Sequence, residues 1–335
     1  MNPAPNAPAP NAIDMLERSA WTPRRLAFWG AIVIALAVLP FLTRNGFYIT
    51  LATNVAITMI LTLSLNFVIG RIGIFSLAHS AFLGIGAYLA AILAQRHGVP
   101  GWLTLPVAIL GSCTAAAIIG IPVLRLRDNF LAVATLSFGL FAEVFARQAS
   151  EITGGAYGIT GIPPLTVLGT PLRGPYSFLL AATVLLLTAL ILENIRTSRF
   201  GRAIIAARDN EAAAAAAGID IARTRLAGFI LSAAIAATAG WAYGFFHLTL
   251  NPYVLSLDIT FLWLFIVLVG GLGSMTGVAL ATIMLGVGPE VLGFASSATI
   301  LVSGALVLIV ALLAPRGIGG LVDGLRRRLG GSGHG

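Results

Sequence analysis

The chain has 335 residues, of which 58% are hydrophobic and only 10% are charged, and its mean hydropathy is +0.96. A soluble globular protein carries roughly a quarter of its residues as Asp, Glu, Lys or Arg, so this composition excludes that class. The net charge of +8 comes from 20 basic residues, all of them arginine.

Ten apolar blocks follow one another along the chain, at about 26–42, 48–69, 74–94, 101–122, 130–147, 176–193, 226–247, 259–271, 275–292 and 298–314. Each is near the ~20 residues that cross the hydrocarbon core of a bilayer. Backbone polar groups find no water in lipid, so the blocks are expected to be helices packed together. Blocks three, eight and nine are short or interrupted. The sequence predicts an all-α integral membrane protein with about ten transmembrane helices.

Polar tails flank this transmembrane domain, which we place at residues 26–315. Residues 1–25 are rich in Pro, Ala and Asn, which predicts a disordered tail. They lack the apolar core of a signal peptide. Residues 316–335 form a basic, glycine-rich C-terminal tail.

The arginines predict the orientation, because positive residues favour the cytoplasmic side. With both termini in the cytoplasm, four arginines lie outside, namely Arg44, Arg96, Arg147 and Arg173. The other 16 then lie inside, which supports an even number of spans. Topology and contact with anionic lipid account for the net charge without a nucleic-acid partner.

Few motifs of enzyme chemistry occur in the chain. Without a lysine it cannot form a Walker phosphate loop, and it contains neither HExxH nor GxSxG. Cys113 is the single cysteine. The cluster Ser76, His79 and Ser80 raises the hypothesis of an intramembrane hydrolase. The alternative is that these polar groups bond to neighbouring helices or to a break in span three.

A carrier driven by protons or sodium usually has ionisable residues deep in the membrane. The candidates are Glu143, Asp258 and Glu290, and the span assignment places all three toward the outer ends of their helices. This placement weakens the hypothesis of a secondary transporter without removing it.

The charged residues concentrate in a predicted cytoplasmic loop at 194–225, and 10 of the chain's 32 lie between Glu193 and Arg225. Asp209 and Asn210 are good N-cap residues, and Gly218 is a good C-terminal stop, so a helix is predicted over 211–217. Such a short helix is marginal in water and needs a surface. The residues fit a helix that inserts into a groove of a partner, or a solvated connector. The residues of interest are Arg208, Asp209, Asn210, Glu211, Ala213, Ala214 and Gly218.

Small and polar residues form two further candidate sets. Glycines allow helices to approach closely and to break where they line a transport cavity, so either role fits the first set. That set of candidate path or broken-helix residues is Ser76, His79, Gly84, Gly86, Gly271, Gly273, Ser274 and Gly277. The outer loop at 148–175 contains a stretch too rich in Gly and Pro for a helix, and is either a receptor surface or a plain loop. Its candidates are Thr153, Gly154, Gly155, Gly158, Gly161 and Pro163.

Four segments, in order along the chain, resemble the permease subunits of ABC importers of branched-chain amino acids, the LivM-type family. They are LSLNFVIGRIGIFSLAHSAFLGIGAYLAAIL (63–93), ITGGAYGITGIPPL (152–165), SRFGRAIIAARDNEAAAAAAGID (198–220) and VGGLGSMTGVALATIMLG (269–286). Ala78, where the family commonly has glycine, and Ala156 and Tyr157 in the outer loop depart from the pattern. These departures bear on the identity of the transported molecule.

The resemblance implies an ABC-importer permease fold in the bacterial inner membrane, with the 208–218 segment docking on an ATPase. The implied partners are a second permease subunit, two cytoplasmic ATPase subunits and an extracytoplasmic substrate-binding protein, besides membrane lipid. The chain itself is expected to bind no cofactor or metal, because ATP is used by the partner subunits. The implied cargo is a branched-chain or related amino acid, with urea, amides or aromatic acids as alternatives. An ion-coupled carrier and an intramembrane hydrolase remain the rival classes.

Overall fold

The computed structural model describes residues 45–126, 128–167, 169–291 and 317–320. The long helices of these ranges are α1 (Gly46–Phe67), α2 (His79–His97), α3 (Gly101–Val123), α4 (Asp128–Gln148), α6 (Pro175–Thr197), α9 (Ile221–His247), α10 (Leu257–Gly270) and α11 (Met275–Val291). Shorter helices are α5 (Ser150–Thr153), α7 (Arg199–Asp209) and α8 (Glu211–Ala216). A π-helical turn, Val68–Ile72, extends α1, and 3-10 turns occur at Gly155–Tyr157 and Pro252–Leu255. The strands are β1 (Ile159–Thr160), β2 (Thr166–Val167), β3 (Thr170–Pro171) and β4 (Thr249–Leu250).

The long helices correspond to spans two to nine of the sequence prediction. Five of them, α1 with its π-turn, α3, α4, α6 and α9, are long and apolar enough to cross a membrane, whereas α10 and α11 are shorter apolar helices. Spans one and ten and the N-terminal tail lie outside the described residues. Only residues 317–320 of the predicted C-terminal tail are described.

Span three was predicted to be helical from residue 74, and this is wrong for its first five residues. Residues 73–78 are not helical, and α2 begins at His79. The reason is Gly73, whose φ of +79° ends the π-turn in a left-handed conformation that a helix cannot continue. Within the predicted 194–225 loop, α6 extends to Thr197 and α9 begins at Ile221.

The core forms around α9, which packs against α2, α3 and α1. Glycines let the backbones approach: a methyl group built on Gly86 would lie 2.5 Å from the carbonyl oxygen of Ala237. Buried hydroxyls link the helices, with Ser64 Oγ donating to Ser232 O at 2.7 Å and Ser112 Oγ to Ala233 O at 3.1 Å. Close packing and these hydrogen bonds hold helices together where the hydrophobic effect cannot.

Helices α3, α4 and α6 lie at the periphery and expose apolar side chains. Leu110 and Ile118 of α3 and Phe130 of α4 are among the most exposed. Helix α1 is by contrast buried along most of its length, including Thr53, Thr62 and Ser64. An exposed apolar periphery around a buried centre is the arrangement expected of helices in lipid.

The connecting segments gather at two ends of the bundle. At the first, which we call the loop end, α7 and α8 lie with the π-turn and with the 271–274 turn between α10 and α11. At the second, the cap end, β1 pairs antiparallel with β4, with Ile159 opposite Leu250, and β2 pairs with β3. The described segments predicted to lie inside all lie at the loop end, and those predicted outside lie at the cap end.

Candidate functional site

Helix α8 is the predicted short polyalanine helix, and both of its ends are capped as the sequence indicates. The Asn210 side chain accepts a hydrogen bond from Ala213 N at 3.0 Å, which makes Asn210 the N-cap. Gly218, at φ +83°, donates to Ala215 O (2.9 Å) while Ile219 N donates to Ala214 O (3.1 Å). These two bonds are a Schellman motif. The helix is thus confirmed, one residue shorter than predicted, and Asp209 ends α7 instead of capping α8.

One side of α8 rests on the protein and the rest of its surface is exposed. Ala214 is 4% exposed, whereas Ala213 and the remaining alanines of the helix are exposed. Glu211 forms an ion pair with Arg225 at the start of α9, and this pair ties the helix to the bundle. The result is a smooth methyl surface that projects from the loop end and contacts nothing in the described part of the chain.

Arg208, two residues before the cap of α8, connects the loop to the bundle. Its guanidinium donates to the carbonyl oxygen of Gly70 in the π-turn, 138 residues away in sequence. Its aliphatic stem covers Gly73, where a methyl group would lie 2.9 Å from Arg208 Cγ. Gly73 therefore leaves room for the arginine to cross, and Arg208 contacts the point where the π-turn ends and the non-helical segment 73–78 begins.

A glycine junction continues this contact toward α10 and α11. A methyl group on Gly70 would overlap the backbone of Gly273, whose N–H donates to Asn66 Oδ1 at 2.8 Å. Gly271 and Gly273 have φ of +94° and +82°, conformations that glycine adopts without strain. Ser274 caps α11 by accepting from Gly277 N at 3.1 Å. Four predicted path residues, Gly271, Gly273, Ser274 and Gly277, thus lie at the loop end.

The same junction reaches the described part of the C-terminal tail. A methyl group on Gly277 would lie 2.6 Å from Gly319 N, and one on Gly317 would lie 2.5 Å from Gly271 Cα. The tail therefore packs directly on the turn between α10 and α11.

Ser76, His79 and Ser80 surround the beginning of α2, and all three are fully buried. Ser76 Oγ accepts from Ala78 N at 3.4 Å, and Thr135 Oγ1 of α4 accepts from Leu77 N at 3.1 Å. Within the described residues, neither ring nitrogen of His79 nor Ser80 Oγ has a hydrogen-bond partner. No Ser–His hydrogen bond is therefore formed there, and the geometry does not favour the hydrolase hypothesis.

Gly84 and Gly86, predicted together as path residues, face different neighbours. Gly86 packs against Ala237 of α9, which is a helix–helix contact and not a lining position. Gly84 lines a groove of about 300 Å³ between α2 and α4. The aromatic side chains of Tyr88, Phe138 and Phe141 also line it.

The outer segment is folded onto the cap end. Thr153 is buried, with Oγ1 2.7 Å from the carbonyl oxygens of both Ala146 and Ala149, and it accepts from Gly155 N at 3.2 Å. Gly154, Gly155, Gly158 and Gly161 all have positive φ. Tyr157 is 92% exposed, and Gly161 and Pro163 are exposed beside it. The glycines shape a tight loop that presents these residues outward.

The two described carboxylates that the sequence names as candidates for ion coupling, Glu143 and Asp258, lie near the cap end. Glu143 pairs with Arg147 at 2.7 Å, and Asp258 is in the first turn of α10. The side chain of Glu290 is outside the described residues. In the described ranges, no three His, Cys, Asp or Glu side chains lie close enough together to hold a metal ion.

Sequence reasoning missed the long-range contacts of two residues of these sites. Arg208 is predicted as part of the docking segment but not as a partner of Gly70, and Asn66 looks like an ordinary polar residue in an apolar span. Tyr88 is buried and its hydroxyl has no partner among the described residues. A lone Asn within an apolar span is the one signal in the sequence that indicates a buried hydrogen bond.

Comparison with known proteins places the chain among transport proteins. Residues 27–313 match the family described as branched-chain amino acid transport system, permease component. The chain is 30% identical to the high-affinity branched-chain amino acid transport system permease protein LivM of Escherichia coli strain K12, over 89% of this chain and 75% of that protein. LivM of Salmonella typhimurium strain LT2 gives the same identity and coverage.

A second type of relative is also similar over most of the chain. The permease protein LivH of the same transport system in Escherichia coli strain K12 is 28% identical, over 82% of this chain and 93% of that protein. No solved structure matches the chain. The match over 27–313 and the 30% identity to LivM show that the chain belongs to the family of branched-chain amino acid transport permeases.

Proposed function

We propose that the chain is a permease subunit of an ATP-driven importer in the bacterial inner membrane. It carries branched-chain or related amino acids that a substrate-binding protein delivers. Two cytoplasmic ATPase subunits supply the energy, and a second permease completes the path, for which the similarity to both LivM and LivH gives support. The termini lie in the cytoplasm, as the arginine distribution predicts. The chain supplies the path, and the partners supply the ATP chemistry.

The observation that carries this proposal is the exposed helix α8, held at the loop end and linked by Arg208 to the π-turn. Its alanine surface lets a partner approach closely, and the surrounding charges, including the pair of Arg223 and Asp220 at 3.0 Å, form a polar rim. An apolar helix surface with a polar rim suits a groove on another protein.

The contacts around Arg208 give the ATPases a route to the transport path. A push on α8 moves the end of α7, and Arg208 passes that movement to Gly70 and Gly73. Gly70 packs on Gly273, so the turn between α10 and α11 moves as well. Glycine-only contacts have no side chains to absorb such a displacement, and packed interfaces switch between discrete arrangements.

At the cap end, the exposed loop around Tyr157, Gly161 and Pro163 is the candidate surface for the substrate-binding protein. Ile159 and Ile162 anchor this loop, since both are buried and Ile162 N donates to Leu248 O at 3.1 Å. An anchored loop with an exposed aromatic residue is typical of a protein-binding surface.

Reconstitution tests the proposal against its rivals. The chain is placed in liposomes alone, or with the second permease and the co-encoded ATPases, and uptake of radiolabelled leucine is measured with the receptor outside. We expect uptake only with the full set and ATP. Uptake by the isolated chain along an ion gradient would instead establish a secondary carrier, and selective uptake of urea, an amide or an aromatic acid would change the assigned cargo.

Substitutions at Ala213 and Ala156 distinguish the ATPase-docking surface of α8 from the receptor surface at the cap end. Glu211→Arg is a poor probe because Glu211 already pairs with Arg225, so that change also disturbs the loop. Ala213→Arg adds bulk and charge to an exposed position of α8 and should abolish co-purification of the ATPases while leaving receptor binding intact. Ala156→Arg, at an exposed position of the cap end, is the matched control and should do the reverse. Loss of ATPase binding in both variants, or in neither, would contradict the assignment of the two ends.

A further inference from the structure

One face of α2 carries a row of residues that the proposed coupling contacts do not use. Ser80, Gly84 and Tyr88 are four residues apart, so they lie above one another on the same side of the helix. A methyl group on Gly139 of α4 would lie 3.9 Å from Ser80 Oγ, and Gly84 and Tyr88 line the groove between α2 and α4. This face of α2 is therefore turned toward α4.

At the N-terminal end of this face of α2, backbone N–H groups lack hydrogen-bond acceptors among the described residues. The first helical bond of α2 is from Phe82 N to Ala78 O (3.2 Å), and no described residue accepts from the N–H groups of His79, Ser80 or Ala81. Ser80 Oγ is also without a partner, and these residues are fully buried. Buried polar groups normally have partners, so such a cluster indicates a missing one.

The missing partner is best supplied by an anion. A helix N-terminus carries a partial positive charge and presents N–H donors, which together favour a carboxylate. Discontinuous helices in membrane transporters use this device toward anionic groups of their substrates. Here the helix begins after the non-helical segment 73–78, and its first residues are fully buried in the bundle.

The groove between α2 and α4 begins one turn after Ser80, at Gly84, and it is apolar. It has a volume of about 300 Å³, its lining includes Gly84, Tyr88, Phe138, Phe141, Ala142 and Phe145, and none of the described residues that line it is charged. The pocket size is at the lower limit for sites that bind small molecules. Four residues, a rise of about 6 Å along the helix, separate Ser80 from Gly84, which is the scale of an amino acid from its carboxylate to its side chain.

We propose that a free aliphatic amino acid binds between α2 and α4, with its carboxylate at the N-terminus of α2 beside Ser80 and its side chain in the groove. The proposal rests on the proposed function and adds the place and orientation of the substrate. An acyl chain of a lipid would fill the groove but leave the donors of Ser80 and of the helix end without partners. The absence of charged lining residues suits a path, because a transported molecule must also leave.

Photo-cross-linking tests this site. The complex of both permeases and the ATPases is labelled with a diazirine analogue of leucine, without the receptor, so that the receptor's selectivity does not enter. The cross-linked peptides are then identified by mass spectrometry. We expect labels within residues 84–92 and 138–146, protection by leucine, and at least tenfold weaker protection by isoamylamine, which is leucine without its carboxylate.

Single substitutions test whether Ser80 binds the carboxylate and whether the side chain lies in the groove. Ser80→Ala should raise the leucine concentration needed for half-protection roughly tenfold, because a hydrogen bond to a charged group is lost. Ser137→Ala is the matched control and should change nothing, since that exposed hydroxyl on α4 donates to its own helix at Val133 O (2.9 Å). Gly84→Leu should abolish the label, because a side chain at this position would displace Leu255 in the wall of the groove.

Four outcomes would overturn the proposal. Equal protection by leucine and isoamylamine, or an unchanged Ser80→Ala variant, would mean that only water occupies the end of α2. Labelling by a diazirine fatty acid that leucine does not displace would identify a lipid groove. Normal receptor-dependent uptake of leucine without any label in the groove would refute this site alone, whereas absence of ATP-dependent uptake would refute the proposed function.

Discussion

Replacing Arg208 tests the proposed route between the docking helix and the transport path. Arg208→Met keeps an unbranched stem to cover Gly73 but removes the guanidinium that donates to Gly70 O. A hydrogen bond from a charged group contributes about 1.5–3 kcal/mol. Arg208 is an exposed residue, so we take the lower end, about 1.5 kcal/mol, which is a factor of about ten.

This factor should appear in the coupling between ATP hydrolysis and amino acid uptake. We expect amino acid uptake per ATP hydrolysed to fall about tenfold in Arg208→Met, while co-purification of the ATPases stays unchanged because α8 is intact. The assay measures ATP hydrolysis and leucine uptake in the same proteoliposomes. Arg202→Met is the matched control on α7, since Arg202 donates only within the loop, to Thr197 O at 2.9 Å. If both variants transport as many molecules per ATP as the wild type, the route through Arg208 is refuted.

The remaining predictions concern the glycine junction and the cap of α8. In Gly70→Ala the new methyl group meets the backbone of Gly273, 2.7 Å from its Cα, which should cost about 1–3 kcal/mol of stability. We expect Gly70→Ala to have a lower melting temperature in detergent. Gly46→Ala, whose methyl group enters open space, should melt like the wild type. Equal melting temperatures for the wild type and both variants would contradict the packing of Gly70 on Gly273. In Asn210→Ala the N-cap of α8 is lost, at a cost of about 1 kcal/mol. Faster hydrogen exchange over 211–216 and weaker ATPase binding are expected, with recovery in Asn210→Ser, and unchanged exchange would show that the cap is unimportant.

The helices and the capped loop follow from local rules, which is why the sequence predicts them well. A block of apolar residues can only be a helix in lipid, and the observed boundaries of α3 and α4 lie within two residues of the predicted ones. Asn210 and Gly218 act through bonds to residues three or four positions away. Such contacts depend on the sequence of one turn and need no knowledge of the fold.

The contacts between distant segments could not be predicted in this way. The bond from Arg208 to Gly70 spans 138 residues, and Asn66 meets Gly273 across 207. Gly84 and Gly86 are alike in sequence, yet one faces a groove and the other packs on Ala237. Their roles depend on which helix lies opposite, and that is set by the packing of the whole bundle.

Cross-linking from position 213 tests the central claim most directly. The chain has a single cysteine, Cys113, so Ala213→Cys and Ala156→Cys can each be made in a Cys113→Ser background. The account predicts that Ala213→Cys cross-links to an ATPase subunit in membranes and reacts with an impermeant maleimide only from the cytoplasmic side, while Ala156→Cys shows neither behaviour. Labelling of position 213 from outside the cell, or an ATPase cross-link from position 156 instead, would contradict it.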